Sequence, residues 1–265
     1  MNNNNRVTLG KTGLQVSRLG ISTSFGAPEN AYQMAFDKGC NYFTWGTFIK
    51  GRSKEFKKFI HNTINASNRD KIIIAFFTYA HDRFLTEKFF IKGLKDLKLD
   101  YADILLLGYF PKRPNQKIID GALTLKEKGL IRHIGLSSHN RKVFPKLLEE
   151  DISDIFHLRY NAANRGAETD IFPYLQENNR PGIVSFTATR WRQLLKSKKI
   201  PSAETPLSAV DCYRFVLANP AVDICMMGVR SEQEMAENLT TLDFDPLTET
   251  ELERIKKIGD YVYGK

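Results

Sequence analysis

Residues 104–107 read ILLL, residues 117–128 read KIIDGALTLKEK, and residues 133–137 read HIGLS. The two short apolar runs are typical of parallel strands that helices cover on the outside. The stretch between them is amphipathic, and Gly129 directly after it is a favourable place for a helix to end. This order of strand, helix and strand predicts a βαβ unit.

The same unit recurs along the chain. Apolar runs alternate with amphipathic stretches at intervals of roughly 25–35 residues, a spacing typical of strand–helix repeats. The predicted strands are residues 18–22, 41–45, 72–77, 104–107, 133–137, 155–159, 183–187 and 223–227. Eight units favour a (β/α)8 TIM barrel that forms one domain over residues 1–265. A doubly wound open sheet is the alternative, but no GxGxxG follows the first strand.

Other segments complete this prediction. Residues 7–10 and 14–17 read as a β-hairpin around Lys11-Thr12-Gly13, and it lies before the first barrel strand, where it could plug the bottom of the barrel. Helices are predicted over residues 87–97 and 210–218. A further helix is expected to start after Ser231, with Glu234 at the capping-box position.

The composition is that of a globular protein without targeting segments. Hydrophobic residues make up 42% and charged residues 26% of the 265 residues, close to the globular average. No apolar run is long enough to cross a membrane, and the opening MNNNNR has no signal-peptide core. The three cysteines (Cys40, Cys212 and Cys225) show no metal-ligand spacing. We therefore expect a cytoplasmic protein with reduced thiols and neither a metal site nor a membrane partner.

The net charge of +9 permits an anionic partner, although solvated lysine-rich helix faces are the favoured explanation. The basic clusters at residues 54–58 and 196–199 lack interleaved aromatic residues, so no nucleic-acid partner is expected. A small-molecule partner is expected instead, and the sequence leaves the oligomeric state open.

Five segments, in order, give the chain a specific resemblance. They read LGKTGLQVSRLGIST (9–23), GCNYF (39–43), KDLKLDYADILLL (95–107), KEKGLIRHIGLSS (126–138) and GVRSEQEMAENL (228–239). Together they resemble the aldo-keto reductase family over nearly the whole chain. The resemblance implies a (β/α)8 barrel with an extended NADP(H) across its carboxyl face.

The resemblance also assigns a set of cofactor contacts. Ser137 and Ser138 align with the pair that holds the nicotinamide carboxamide, His157 replaces a glutamine, and Phe186 replaces a stacking tyrosine next to Thr187. The adenosine end is assigned to Gly228, Arg230, Ser231, Glu234, Glu237 and Asn238. Because Arg230 lies just before a predicted helix N-terminus, it is suited to bind the 2′-phosphate and would favour NADP(H) over NAD(H).

The catalytic side departs from the family. Typical members reduce carbonyls with an Asp–Tyr–Lys–His tetrad, whose positions are here taken by Thr44, Ile49 (beside Phe48), Phe77 and Gly108. Without a general acid, the reaction loses a rate acceleration of about 100- to 10,000-fold. The family's usual activity therefore does not transfer unmodified.

Three other residues at predicted strand ends are candidates for catalysis. His139 follows the fifth strand and can titrate near neutral pH. Arg159 ends the sixth strand and needs an anionic partner, either Glu168 or a ligand carboxylate. Tyr109, beside the missing histidine, could replace the missing phenol, with aromatic packing as the simpler interpretation.

Three hypotheses remain open at this point. The first is an atypical NADP(H)-dependent oxidoreductase that uses His139, Arg159 or Tyr109 on an activated or anionic substrate. The second is a catalytically silent NADP(H)-binding sensor or interaction protein, because all four tetrad residues are lost together. The third is a non-redox barrel enzyme.

Overall fold

The computed structural model describes residues 5–176, 179–202 and 204–264. Its strands are β1 (Arg6–Thr8), β2 (Gln15–Ser17), β3 (Leu19–Ser22), β4 (Tyr42–Trp45), β5 (Ile73–Thr78), β6 (Ala102–Leu107), β7 (Ile131–Ser138), β8 (Ile155–Arg159), β9 (Gly182–Phe186) and β10 (Ile224–Met227). Its α-helices are α1 (Glu29–Asp37), α2 (Lys54–Thr63), α3 (Arg83–Leu97), α4 (Gln116–Glu127), α5 (Phe144–Glu150), α6 (Ala167–Asp170), α7 (Ala209–Leu217), α8 (Glu232–Leu239) and α9 (Glu249–Tyr263).

Strands β3 to β10 form a closed parallel barrel. Each strand pairs with the next along the chain, and β10 pairs with β3 to close the ring. Strands β1 and β2 form a separate antiparallel pair. The predicted (β/α)8 barrel with an N-terminal hairpin is confirmed, and strand β8 has the predicted limits.

Side chains alternate between the barrel lumen and the surrounding helices, as the pleat of a strand requires. On β4, Tyr42 packs with the luminal cluster and Phe43 with the outer core. On β6, Ile104 is luminal and Leu105 is outer. This alternation determines which residues at the strand ends face a ligand at the carboxyl face.

The N-terminal hairpin covers the other end of the barrel, as predicted. Leu9 and Val16 are fully buried in the same apolar cluster as the lumen. A Cβ placed on Gly182, at the start of β9, would lie 2.5 Å from the Leu9 side chain. The Lys11 backbone N–H donates to the Arg180 carbonyl oxygen at 2.8 Å. The bottom of the barrel is therefore sealed by side-chain packing.

Some predicted boundaries differ from the structure, and capping explains the largest shift. Helix α3 begins at Arg83 and not at residue 87, because the Asp82 carboxylate accepts a hydrogen bond from the Leu85 N–H at 2.9 Å. Ser231 caps α8 as predicted. The Glu234 carboxylate, however, accepts from the Arg230 N–H, so the predicted capping box is only half formed.

Membrane-spanning helices and clusters of metal-binding side chains are both absent from the described residues. No helix in these segments is both long and apolar enough to cross a membrane. Across the same segments, no group of three or more His, Cys, Asp or Glu side chains is placed to hold a metal ion.

Candidate functional site

A cavity of about 490 Å³ opens at the carboxyl ends of the barrel strands. Its inner part, here called the mouth, is formed by residues at or just after strand ends, namely Thr44, Phe48, Phe77, Tyr79, Tyr109, Ser137, His157 and Phe186. Its outer part, here called the helix end, includes Gly228, Arg230, Glu234, Glu237 and Asn238. Both parts line one continuous cavity.

Apolar packing surrounds the four positions that the resemblance assigns to the tetrad. Ile49 and Thr44 are buried, and Ile49 packs with the outer core. A Cβ on Gly108 would lie 2.3 Å from Cε2 of Phe77 and 2.7 Å from the Thr78 carbonyl oxygen. The Phe77 ring therefore occupies the space that a side chain at residue 108 would need. The two substitutions fit each other sterically.

A series of aromatic rings crosses the mouth. Phe48 and Phe77 lie 4.5 and 4.6 Å from Tyr79 between ring centroids. Tyr79 stacks on Tyr109 at 5.1 Å, and Tyr109 stacks on His139 at 4.5 Å with an interplanar angle of 13°. Burial raises the pKa of Tyr79, with Tyr109 as a further cause, so its phenol stays protonated at neutral pH. The mouth consequently presents ring faces and phenolic hydroxyls.

Backbone geometry explains how Tyr109 reaches the cavity. Its φ of +51° lies in the left-handed region, which is unusual for a bulky residue. Strict alternation would direct residue 109 away from the lumen, because Leu107 belongs to the outer core. The left-handed turn after β6 ends the alternation, and Tyr109 lines the cavity.

His139 and Arg159 are in contact with each other, but neither lines the cavity. Arg159 Nη2 donates to His139 Nδ1 at 2.9 Å. The guanidinium also lies 4.7 Å from the ring centroid of Trp191. Burial, with the charge of Arg159 as a second cause, lowers the pKa of His139, which keeps this imidazole neutral. The pair lies behind Tyr109, and of the three predicted catalytic residues only Tyr109 reaches the cavity.

The expected pairing of Arg159 with Glu168 is not formed. Glu168 instead accepts a hydrogen bond from the Tyr160 hydroxyl at 2.6 Å. Among the described residues no carboxylate lies within ion-pair distance of Arg159, and its Nε is buried without a partner. Burial lowers the pKa of Arg159, but a guanidinium remains charged at neutral pH. The wall behind the mouth therefore carries an uncompensated positive charge.

The residues predicted on the nicotinamide side divide by the alternation of their strands. Ser137, His157, Phe186 and Thr187 line the cavity. Ser138 points to the other side of β7, where its hydroxyl donates to the Phe110 carbonyl oxygen at 2.7 Å. The structure therefore brings four of these five residues to the cavity.

At the helix end, all the predicted residues except Ser231 line the cavity. The Ser231 hydroxyl accepts from the Glu234 N–H at 3.1 Å and caps α8. The Glu234 carboxylate also pairs with Arg192, with 3.1 Å between Oε1 and Nη1. Asn238 is buried and donates from Nδ2 to the Tyr213 hydroxyl at 3.5 Å. Two arginines and two glutamates thus line this end.

A polar pair lies in the barrel lumen beneath the cavity, and of its two members only His157 was predicted from the sequence. The Tyr42 hydroxyl lies 2.7 Å from His157 Nε2, and both residues are buried. Burial lowers the pKa of His157 to about 3, so the imidazole is neutral. Because side chains alternate along a strand, Tyr42 lies on the same luminal side as Thr44. This pattern could have indicated Tyr42 from the sequence. Trp191, Arg192 and Tyr213 also line the cavity, and no motif marked them.

Comparison with known families identifies the chain. The sequence model of the Aldo/keto reductase family matches residues 18–202. The chain belongs to the aldo/keto reductase family. Aldo/keto reductases are oxidoreductases that generally use NAD(P)H, so membership supports an oxidoreductase.

Solved aldo/keto reductases share the fold over almost the whole chain. The holo form of aldo-keto reductase AKR11C1 from Bacillus halodurans has a TM-score of 0.79 and 20% identity, covering 96% of this chain and 95% of that one. The apo form of the same protein has a TM-score of 0.75 and 21% identity, with the same coverage. A search of curated proteins finds no match.

Proposed function

We propose that the chain is an NADP(H)-dependent oxidoreductase of the aldo/keto reductase type that works with a non-standard catalytic set. One observation carries this proposal: the nicotinamide-side residues and the helix-end residues line a single cavity. A cavity that joins both sets is what an extended dinucleotide requires. Reduced, buried thiols at Cys40, Cys212 and Cys225 support a cytoplasmic location.

The donor set of the cavity suits a nicotinamide dinucleotide. Ser137 and His157 offer polar groups at the inner end, and the Phe186 ring offers an apolar face for stacking. At the other end Arg230 precedes the N-terminus of α8, where a guanidinium and backbone N–H groups favour a phosphate. Asn238 is placed among the helix-end residues to contact the base. When bound, the cofactor supplies a hydride.

Tyr109 is the proposed proton donor. Its side chain lines the mouth, and its ring is held against His139, which Arg159 in turn holds by a hydrogen bond. The charge of Arg159 favours the phenolate that Tyr109 becomes after it donates its proton. His139 and Arg159 act as positioning residues in this arrangement. The phenol at Oη would donate to the substrate oxygen as that oxygen gains negative charge.

The uncompensated charge of Arg159 also indicates the substrate class. A cation behind the mouth, with no carboxylate partner among the described residues, stabilises an anionic group bound in front of it. We therefore propose a small substrate with an activated carbonyl and an anionic substituent. The aromatic rings at the mouth favour a planar molecule.

A second candidate function is a catalytically silent NADP(H)-binding sensor. The packing of Phe77 over Gly108 favours it, because this packing closes the usual catalytic position. This candidate shares the cofactor site with the first and differs only in turnover.

Titration of the purified protein with NADPH, followed by nicotinamide fluorescence, tests the cofactor site. We expect saturable binding, tighter for NADPH than for NADH. Arg230→Ala should weaken NADPH binding about 10-fold, the value of one charge-assisted hydrogen bond, and leave NADH binding unchanged. Arg113→Ala, outside the cavity, is the matched control. Absence of saturable binding by either nucleotide would contradict the proposal.

Turnover then separates the two candidates. NADPH consumption is measured with a panel of aldehydes and quinones, with and without a carboxylate. Faster turnover of the carboxylate-bearing members supports the oxidoreductase. Tight binding without turnover across the panel supports the silent sensor.

A further inference from the structure

A hydrogen bond crosses the barrel lumen below the cavity. Tyr42 is on β4 and His157 is on β8, four strands apart in the closed order of eight. Tyr42 Oη and His157 Nε2 are 2.7 Å apart, and Tyr42 is completely buried. Gly20 on β3 makes room for this tyrosine, because a Cβ there would lie 3.2 Å from Cδ1 of Tyr42 and closer still to Met226. The pair forms the polar floor of the cavity.

The direction of this hydrogen bond follows from the available partners. His157 Nε2 is the one hydrogen-bond partner that the described part of the chain offers to the Tyr42 hydroxyl. A buried hydroxyl proton without an acceptor is unfavourable, so Tyr42 donates and Nε2 accepts. A neutral imidazole carries one proton. That proton must then be on Nδ1.

His157 lines the cavity, and no described residue accepts a hydrogen bond from its Nδ1. Ser137, its register partner on β7, also lines the cavity, and its hydroxyl makes no hydrogen bond to a described residue. The floor therefore presents an N–H donor beside a free hydroxyl. This combination complements a primary amide, which has one carbonyl acceptor and an NH₂ donor.

We propose that Tyr42 is a positioning residue that holds the proton of His157 on Nδ1 and so makes the cavity floor a donor to a ligand carbonyl oxygen. The ligand group is the carboxamide oxygen of the nicotinamide, and this part of the inference rests on the proposed function. The tautomer of His157 is a property of the chain alone and does not depend on it.

Long-range ¹H–¹⁵N NMR of the ligand-free protein measures the tautomer directly. His157→Gln identifies the signals of this ring among the five histidines. We expect wild-type His157 to be protonated on Nδ1, and Tyr42→Phe to show the Nε2-protonated form. Tyr32→Phe, which removes the hydroxyl of a buried tyrosine in the outer core, is the matched control and should leave the spectrum of His157 unchanged. Protonation on Nε2 in the wild type would overturn the inference, and this outcome does not depend on whether Tyr42→Phe folds.

Binding of two cofactors tests the role toward the ligand. NADPH is compared with the reduced thionicotinamide analogue, in which a sulfur, a weak acceptor, replaces the carboxamide oxygen. We expect Tyr42→Phe to weaken NADPH binding about 3- to 10-fold and to change binding of the thio analogue less than about 2-fold. Equal losses for both would show a merely structural role and overturn the proposed contact. If neither nucleotide binds the wild type, the proposed function fails, and the NMR result alone decides the role of Tyr42.

Discussion

The two ends of the cavity differ in how they are built and in the side chains that they present. The helix end has polar and charged residues at most of the positions that the family resemblance assigns to it, and four of these residues line the cavity. The mouth presents a series of packed aromatic rings instead. The helix end is formed by a loop and the start of α8, whereas the mouth is formed by strand ends that share one packed space. Side chains at neighbouring strand ends therefore constrain one another, as Phe77 and residue 108 do.

The largest expected effect separates chemistry from binding. Tyr109→Phe removes the proposed acid and should lower kcat for 4-carboxybenzaldehyde, a small anionic aldehyde, by about 100-fold or more. Its dissociation constant for NADPH should stay within about 2-fold, because no hydrogen bond to the helix end is changed. Stopped-flow turnover and fluorescence titration measure the two quantities.

Two controls accompany this prediction. Tyr174→Phe, an exposed tyrosine outside the cavity, should leave both quantities unchanged. Tyr79→Phe keeps the ring stack and tests the neighbouring phenol. A loss of turnover in Tyr79→Phe but not in Tyr109→Phe would show that Tyr79 is the proton donor and would contradict the role proposed for Tyr109.

The next prediction concerns His157 in the floor of the cavity, which should make the protein less stable at acid pH. Because the folded-state pKa of His157 is about 3, below its unfolded value of about 6.5, the unfolded state binds the proton first as the pH falls. The contribution to stability is complete above pH 6.5 and is lost between about 6.5 and 3. It amounts to on the order of 4 kcal/mol.

Urea unfolding as a function of pH measures this loss. His157→Gln should show a shallower decline of the unfolding free energy over that interval than the wild type, whatever its absolute stability. His61→Gln, a variant of an exposed histidine, should decline like the wild type. Parallel curves for the wild type and His157→Gln would mean that His157 is not held neutral.

The smallest effect tests the steric fit within the mouth. Gly108→Ala places a methyl group against the Phe77 ring and the Thr78 carbonyl and should lower the free energy of unfolding by about 1–3 kcal/mol. Gly51→Ala, where a Cβ meets no atom within 4 Å, is the control. In Phe77→Ala/Gly108→Ala the two losses should be less than additive, because the removed ring relieves the clash. Full additivity would show that the two positions are independent.

Strand positions and faces could largely be predicted from the sequence. Apolar runs located all eight barrel strands, since burial on both faces leaves a clear signal. Alternation along a strand also separates Ser137, which lines the cavity, from Ser138, which does not. The helix-end residues were predicted from the family resemblance of residues 228–239, and the start of α8 after Ser231 was predicted from its capping motif.

Side chains beyond the strand ends could not be placed in the same way. The alternation of side chains stops where the backbone turns. The left-handed backbone of Tyr109 directs its side chain to the cavity. His139 and Arg159 contact each other and do not line the cavity. The partner of Glu168 could not be predicted either, because Tyr160 reaches it from the preceding strand end through tertiary packing. The start of α3 depended on one side-chain hydrogen bond from Asp82.

The hairpin at the bottom of the barrel and the pairing of β3 with β10 also affect how the chain folds during synthesis. The hairpin's apolar Leu9 is matched to Gly182, and β3 is paired with β10, so both contacts wait for parts of the chain that leave the ribosome much later. Contacts between such distant residues slow folding, and unpaired strand edges favour aggregation until they form. Leu9 and the free edge of β3 therefore stay uncovered until β9 and β10 have been synthesised.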